Sequence, residues 1–291
     1  MITRTSKAPS NILRHTARFV FEEGTFMKEV FPQCSNEEEL LSALQKTPEQ
    51  WNIMHTEIPV ALFTLHFSDV GAIVDKICLA PTSSCESFVS NLRLDLKKSK
   101  IQSLTLRAPE EMVEATEKNG FEKHRFVIKF VGPIIETKLM PILPLANPTE
   151  RDIPALAKFM HESYEKGSEP TLASVSQADR RLREIMRDLH GVYAAEASLI
   201  SGSTINMVSA CFVTLNSPRQ AHVAELFTHP LYRARGLATT EVATAMNRLL
   251  KRGVETLSVQ FGEHNEIARR LFAKLGFEQQ SRLAEMVTPI Q

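Results

Sequence analysis

The chain of 291 residues carries no excess of either charge: Lys plus Arg and Asp plus Glu each number 34. No global field therefore draws it to nucleic acid or to an anionic membrane. Cysteine is scarce as well. Cys34, Cys78, Cys85 and Cys211 are scattered without Cys-x-x-Cys spacing, which fits reduced thiols in a cytosol rather than a disulfide framework. No apolar run approaches the roughly 20 residues that span a bilayer, and MITRTSKAPSNILRH lacks the apolar core of a signal peptide. A cytoplasmic protein without membrane or nucleic-acid partners is the expectation. Also missing are Gly-Lys-Ser/Thr, G-x-G-x-x-G, H-E-x-x-H and G-x-S-x-G, which removes nucleotide-loop, dinucleotide, zinc-protease and serine-hydrolase readings and leaves no metal to expect.

What is present suffices for two soluble α/β domains, with 43% hydrophobic and 23% charged residues. In the first half, RFVFEEGTFMKEVF reads as one or two strands around Gly24, and SNEEELLSALQ as a helix with Ser35 as cap. Strands are expected over 59–67 and 72–81, joined by a turn at Ser68, Asp69 and Gly71. A helix over 84–98, the strand IQSLTLRAP, a helix ending at Asn119-Gly120 and the strand HRFVIKFVG follow. The second half repeats this order. Pro81 and Pro230 lie 149 residues apart, Leu104 and Leu257 153, and Gly120 and Gly276 156, a slow drift that suggests duplication with small insertions. ETKLMPILPLANP, with three prolines, marks the junction, so domains are expected over 1–138 and 139–291. In the second, the spacing predicts a strand near Ile142 to Leu145 and a helix capped by Thr149 with Asp152, Pro154 lying early in it. A further helix over about Val175 to Leu189 carries ADRRLREIMRD, read as a solvated face. The strands GVYAAEASLI and NMVSACFVTL form a hairpin through Ser201, Gly202 and Ser203.

The informative stretch is AHVAELFTHPLYRARGLATTEVATAMNRLL, residues 221–250. Its first part alternates, placing Val223, Glu225 and Phe227 on one face and His222, Ala224 and Leu226 on the other. Pro230 ends the ladder, and Val242, Ala245, Met246, Leu249 and Leu250 then recur at helical spacing. Between the two periods lies Arg233-Ala234-Arg235-Gly236-Leu237-Ala238. The first amides of a helix have no partner within it and its dipole is positive there, so an anion is attracted. Gly236 and Ala238 let a diphosphate approach the backbone, and Arg233 and Arg235 add charged donors.

Arg233-x-x-Gly236-x-Ala238, with ELFTHPLYR before it and a long helix after, resembles the Q/R-x-x-G-x-G/A signature of the GNAT superfamily of acyl-CoA-dependent N-acetyltransferases. HNEIARRLFAKLGF resembles a second motif of that family. The resemblance covers residues 139–291 by motif and 15–135 by topology, and implies two GNAT-like domains in tandem, each with a mixed α+β sheet. The first has Thr82-Ser83-Ser84-Cys85-Glu86-Ser87 after Pro81, without arginine or glycine, and is expected to be degenerate. In the second, the resemblance implies acetyl-CoA as acyl donor. Its diphosphate would lie against Arg233, Ala234, Arg235, Gly236, Leu237, Ala238 and Thr239, and its pantetheine along the backbone of Leu226, Phe227 and Thr228. Asn265 resembles an asparagine that touches coenzyme A, and it also suits a helix cap. Phe272 stands beside the cofactor where many relatives have tyrosine; it supplies no proton, and its spacing also fits the core.

Transfer to an amine needs a base, which the resemblance assigns to Glu225, acting directly or through a water; a structural glutamate paired with an arginine is the alternative. The segment Tyr164 to Thr171 borders the acceptor site in the family. The expected function is acetyl transfer from acetyl-CoA to a primary amine by direct attack in a ternary complex, by a monomer or homodimer. A non-catalytic acyl-CoA sensor or scaffold, and an enzyme for longer acyl chains, are the other readings.

Overall fold

In the computed structural model the described residues are 1–23, 27, 30, 31, 34–46, 51–67, 71–97, 101–165, 174–202 and 206–290. They form two compact units, one of residues 1–126 with 282–291 and the other of residues 127–281.

The first unit holds β1 (Ile2–Arg4), α1 (Ser10–Glu22), α2 (Glu37–Lys46), β2 (Trp51–His55), β3 (Pro59–Phe67), β4 (Gly71–Leu79), α3 (Cys85–Leu96), β5 (Ser103–Pro109) and α4 (Val113–Lys118). Its sheet runs β1, β2, β3, β4, β5 and then residues 283–289 of β13 (Glu278–Pro289). All neighbours are antiparallel except β4 and β5. Phe88, Val89 and Leu92 of α3 pack on one face with Phe63, Val74 and Leu104, while α1 and α2 pack on Trp51, Ile53 and Leu62.

Two local expectations differ from what folds. Arg18 to Glu22 belong to α1 and are not a strand. The buried set Ile12, Leu13, Thr16, Ala17, Phe19 and Val20 follows a three-to-four-residue period, and packing of that stripe overrides the strand preference of Phe-Val-Phe. Gly24, Ser68 and Asp69 lie outside the described residues. Asn36, not Ser35, caps α2: its Oδ1 accepts from the Glu39 amide at 2.8 Å, while the Ser35 amide donates to the Glu39 carboxylate at 2.6 Å. The strand WNIMH, which no expectation covered, pairs with β3 and is buried along its whole length.

The second unit contains the part of β6 (Glu122–Pro133) from residue 127 onward, β7 (Leu145–Ala146), α5 (Ile153–Glu165), α6 (Val175–Met186), β8 (Val192–Tyr193), β9 (Leu199–Gly202), β10 (Met207–Ser217), β11 (Gln220–Thr228), α7 (Leu237–Lys251), β12 (Thr256–Gly262) and α8 (Glu266–Lys274). Its sheet order is β6, β12, β11, β10, β9, β7, with β8 also on β10; only β11 and β12 are parallel. Residues 142–144 precede β7 without joining it; Pro144, which has no amide to give, shortens the expected strand to two residues. The Thr149–Asp152 capping box forms as expected. Val213, Val223, Leu257 and Phe261 meet α7 and α8, while Ala210, Phe212 and Phe227 meet α5 and α6.

The two units repeat one pattern. Parallel pairing starts at Gly71 with Ser103 in one and at Gln220 with Thr256 in the other, and stops after four residues in both. These starts are separated by the same 149 and 153 residues that separate the proline and leucine landmarks, and β6 and β13 begin and end 156 residues apart. The expected linear boundary after residue 138 differs from the observed division. Residues 127–133 complete the second unit by pairing with β12, and residues 283–289 complete the first by pairing with β5. Each half of the sequence thus supplies the last strand of the other unit.

Candidate functional site

The site of the second unit starts at an irregularity in β11. Phe212 lies opposite Glu225 and Val213 opposite Val223, so Ala224 is an extra residue, a β-bulge. The bulge changes the expected alternation: Val223 faces the α7 core, whereas Ala224, Glu225 and Phe227 face α5 and α6. Pairing with β12 also ends at Val223, so the two strands part from Ala224 onward. His229 donates its amide to the Val208 carbonyl of β10; with a period of two, the main-chain groups of Leu226 and Thr228 face away from β10, toward the opened side.

Beyond Thr228 the chain turns. The His229 ring nitrogen accepts from the Leu231 amide, Ala234 takes a positive φ of 59°, and Gly236 one of 81° as the N-cap of α7. Thr240 donates to the Gly236 carbonyl at 3.0 Å, and the amides of Leu237, Ala238 and Thr239 find no partner among the described residues. This row of donors at the positive end of a 15-residue helix is suited to an anion. Gly236 is needed for its conformation, and a methyl group there would also stand 3.3 Å from Ile142 Cδ1. Arg235 lies 5.1 Å from the Tyr232 ring. The Arg233 guanidinium donates to the Thr228 carbonyl at 3.3 Å and to the Ser163 carbonyl at 2.7 Å, clamping the turn to the end of α5.

Of the two residues from the second motif, Asn265 caps α8, its Oδ1 accepting from the Ala268 amide at 3.0 Å. Phe272 is 1% exposed and packs in the core against Phe261 and Phe277, at ring distances of 5.9 and 5.2 Å.

The Glu225 side chain is 11% exposed, and both its oxygens are engaged. Tyr164 of α5 donates its hydroxyl to one at 2.6 Å, and Arg181 of α6 gives its Nε hydrogen to the other at 2.8 Å. The His190 ring Nε2 lies 2.7 Å from Arg181 Nη1 and 3.2 Å from the Glu184 carboxylate. That contact with His190, against the effect of burial, holds Glu184 below the usual carboxylate range. Arg181 was legible only as part of a charged helix face. Its spacing with the buried Ala178, Leu182 and Ile185 is the signal that could have placed it inward. Of the expected acceptor segment, residues 166–171 lie outside the described residues.

Glu241, in the second turn of α7, is the other residue the sequence did not single out. Its side chain is 0% exposed and accepts hydrogen bonds from Ser201 of β9 and from Ser209 of β10, the latter at 2.8 Å. The Ser209 hydroxyl lies 3.0 Å from that of Thr228. Burial pushes the Glu241 carboxyl up to about 7, against the hydrogen bonds from the two serines. Cys211 is buried beside it; burial, and then the Glu241 charge, raise its thiol well above the usual value.

The corresponding turn of the first unit is built differently. Ser84 caps α3, its hydroxyl oxygen accepting from the Ser87 amide at 3.1 Å, and Glu86 sits in the first turn. Where β4 and β5 stop pairing, Arg107 donates to Asp75 at 3.3 Å and to Glu285 at 3.0 Å, and Arg125 also holds Glu285. An ion pair thus spans the place that parts in the second unit.

Comparison with known proteins bears on the family and the fold. Residues 158–277 match the model of the Acetyltransferase (GNAT) family. No curated protein matches the chain. Among solved structures, it is similar to a GCN5-related N-acetyltransferase from Sphaerobacter thermophilus, with TM-score 0.65 at 14% identity over 100% of this chain and 96% of the other. It is also similar to a tandem GNAT protein from the clavulanic acid biosynthesis pathway, with TM-score 0.63 at 14% identity over 100% and 98%. An acetyltransferase of the GNAT family from Colwellia psychrerythraea gives TM-score 0.54 at 10% identity over 99% of both chains. At such identities the likeness concerns the fold. Among the described residues no helix is long and apolar enough to cross a membrane. The chain therefore carries a domain of the acetyltransferase (GNAT) family within a tandem of two GNAT folds.

Proposed function

We propose that the second unit transfers the acetyl group of acetyl-CoA to a primary amine by direct attack within a ternary complex. The supporting observation is a continuous track. The strands part at Ala224, beside Glu225, and the opened edge of β11 leads to the unpartnered amides that follow Gly236. From Glu225 to Thr228 three strand steps cover about 10 Å, along which the amide-bearing part of the pantetheine can lie between a reacting end and a diphosphate end. The open main-chain groups of Leu226 and the Thr228 amide pair with its amides as an added strand would, and the amides of Leu237, Ala238 and Thr239 hold the diphosphate.

At the reacting end, Glu225 takes the proton of the amine, directly or through a water, while Arg181 and Tyr164 fix its orientation. The amine nitrogen bonds to the thioester carbon, the carbon–sulfur bond breaks and the departing sulfur takes a proton from solvent water. Phe272 has none to give, whereas the Tyr164 hydroxyl stands beside Glu225. The first unit, with its capped turn and bridged strands, serves as a scaffold without acyl-CoA.

A thiol-release assay with acetyl-CoA over a panel of amines tests the reading. Glu225→Gln is expected to lower kcat about 10²–10⁴-fold with coenzyme A still bound, and Gly236→Glu to abolish binding. The second reading, a non-catalytic acyl-CoA sensor, draws on the engagement of both Glu225 oxygens and takes over if the parent binds coenzyme A yet turns over no amine.

A further inference from the structure

We propose that Glu241 is a positioning residue for the cofactor turn, and that coenzyme A binding at that turn takes up a proton at its carboxyl. The inference rests on the acyl-CoA reading above.

The geometry begins with an uncompensated acid. Glu241 is fully buried, and no cation faces it among the described residues. The groups that do face it are the hydroxyl and main-chain amide of Ser201 on β9, the hydroxyl of Ser209 on β10, and the Cys211 thiol, also on β10. Thr228 of β11 is reached through Ser209. Cys211, the only titratable group among these, stays neutral because burial raises its thiol well above the usual value. The cations of the adjoining turn are engaged elsewhere, Arg233 with the Thr228 and Ser163 carbonyls and Arg235 with the Tyr232 ring.

Hydroxyls make the proton exchangeable at little structural cost. Each serine both donates and accepts, so when the carboxyl is protonated one hydroxyl rotates and the network keeps its bonds. Only the charge changes. That charge sits five residues along α7 from Gly236, about 7 Å at the helical rise, just behind the amides assigned to the diphosphate. Two negative groups at such a separation, one of them desolvated, oppose one another, and a proton on Glu241 removes the conflict. The same network ties α7 through Ser209 to Thr228, whose carbonyl receives Arg233. Glu241 therefore holds the helix start and the strand end in register, and its ionisation weakens the grip of that turn on an anion.

The sign follows from the raised value of about 7. Below it the carboxyl is neutral and the anion meets no opposing charge. Above it binding must draw a proton from solution, so affinity falls as pH rises.

Calorimetric titration of the whole protein with coenzyme A at pH 7.5, in phosphate and in Tris, reads the proton uptake directly. The parent is expected to take up about half a proton more than Glu241→Gln, and its affinity to fall about tenfold from pH 6 to 8.5 relative to that variant. Protons exchanged by the ligand's own 3′-phosphate are common to both proteins and cancel. Glu241→Leu, an apolar replacement that needs no hydrogen bonds, serves if the glutamine variant does not fold. Equal uptake and parallel pH profiles in parent and variant overturn the proposal alone. Absence of coenzyme A binding by the parent at any pH overturns the reading of the turn itself, and this inference with it.

Discussion

Gly236→Ala separates what the turn costs from what it binds. At a φ of 81° an L-residue is in the left-handed region, a penalty of about 1–2 kcal/mol. The new methyl group meets only Ile142 Cδ1, at 3.3 Å, the end of a flexible side chain that can give way. For a unit of this size about 1–2 kcal/mol corresponds to a fall in Tm of about 2–8 °C. Binding suffers separately, because alanine drives the backbone from this φ and the amides of Leu237 and Ala238 lose their aim. Loss of one charge-assisted hydrogen bond, about 1.5–3 kcal/mol, weakens coenzyme A by about 10–150-fold. Gly253→Ala is the control. It carries the same strain, with φ of 79° and nothing within 4 Å, at the opposite end of the same helix. Thermal melts should show similar destabilisation of both variants, and calorimetry should show weakened coenzyme A only for Gly236→Ala. Equal, undiminished affinity in both refutes the assignment of the turn as an anion site.

Two further outcomes follow from the packing. Arg107→Ala takes the arginine from the largely buried Asp75 and leaves the buried Glu285 with Arg125 alone, and should cost about 3 kcal/mol in urea denaturation. Burial raises both acids, but Arg107 outweighs it, aided by Lys76 at Asp75 and by Arg125 at Glu285, and holds both below the usual carboxylate range. Their stabilisation is thus full at neutral pH and is lost as pH falls through those lowered values, so the stability gap between parent and variant should close below about pH 4. A gap that persists in acid would show that lost packing of the arginine stem, not charge, carries the effect. Phe272→Ala, which removes a ring between Phe261 and Phe277, should cost about 3–5 kcal/mol while leaving the shape of the pH–rate profile unchanged. A profile that changes shape would place this ring at the reacting centre.

Much of the architecture follows from local pattern. The strand over 59–67 was legible residue for residue, the Thr149–Asp152 cap needed only a spacing of three, and the 149-, 153- and 156-residue offsets already contained the repeat. The turn at Gly236 was legible too, since a helix start, a glycine and two arginines lie within a few residues. These features are short-range: backbone dihedrals, hydrogen bonds within a turn and side-chain periodicity are set by neighbours in sequence. Tertiary packing decided the rest. Whether Phe19 to Phe21 joined a helix or a strand depended on the core available to α1. The bulge at Ala224, which turned Glu225 toward α5 and α6, arose from pairing with β10 and not from the sequence of β11. The partners of Glu225 lie 61 and 44 residues away, those of Glu241 40 and 32 residues away. The strand that completes each unit is drawn from the other half of the chain. No one-dimensional pattern encodes such meetings, because burial, charge pairing and strand register are properties of surfaces brought together only when the chain has folded.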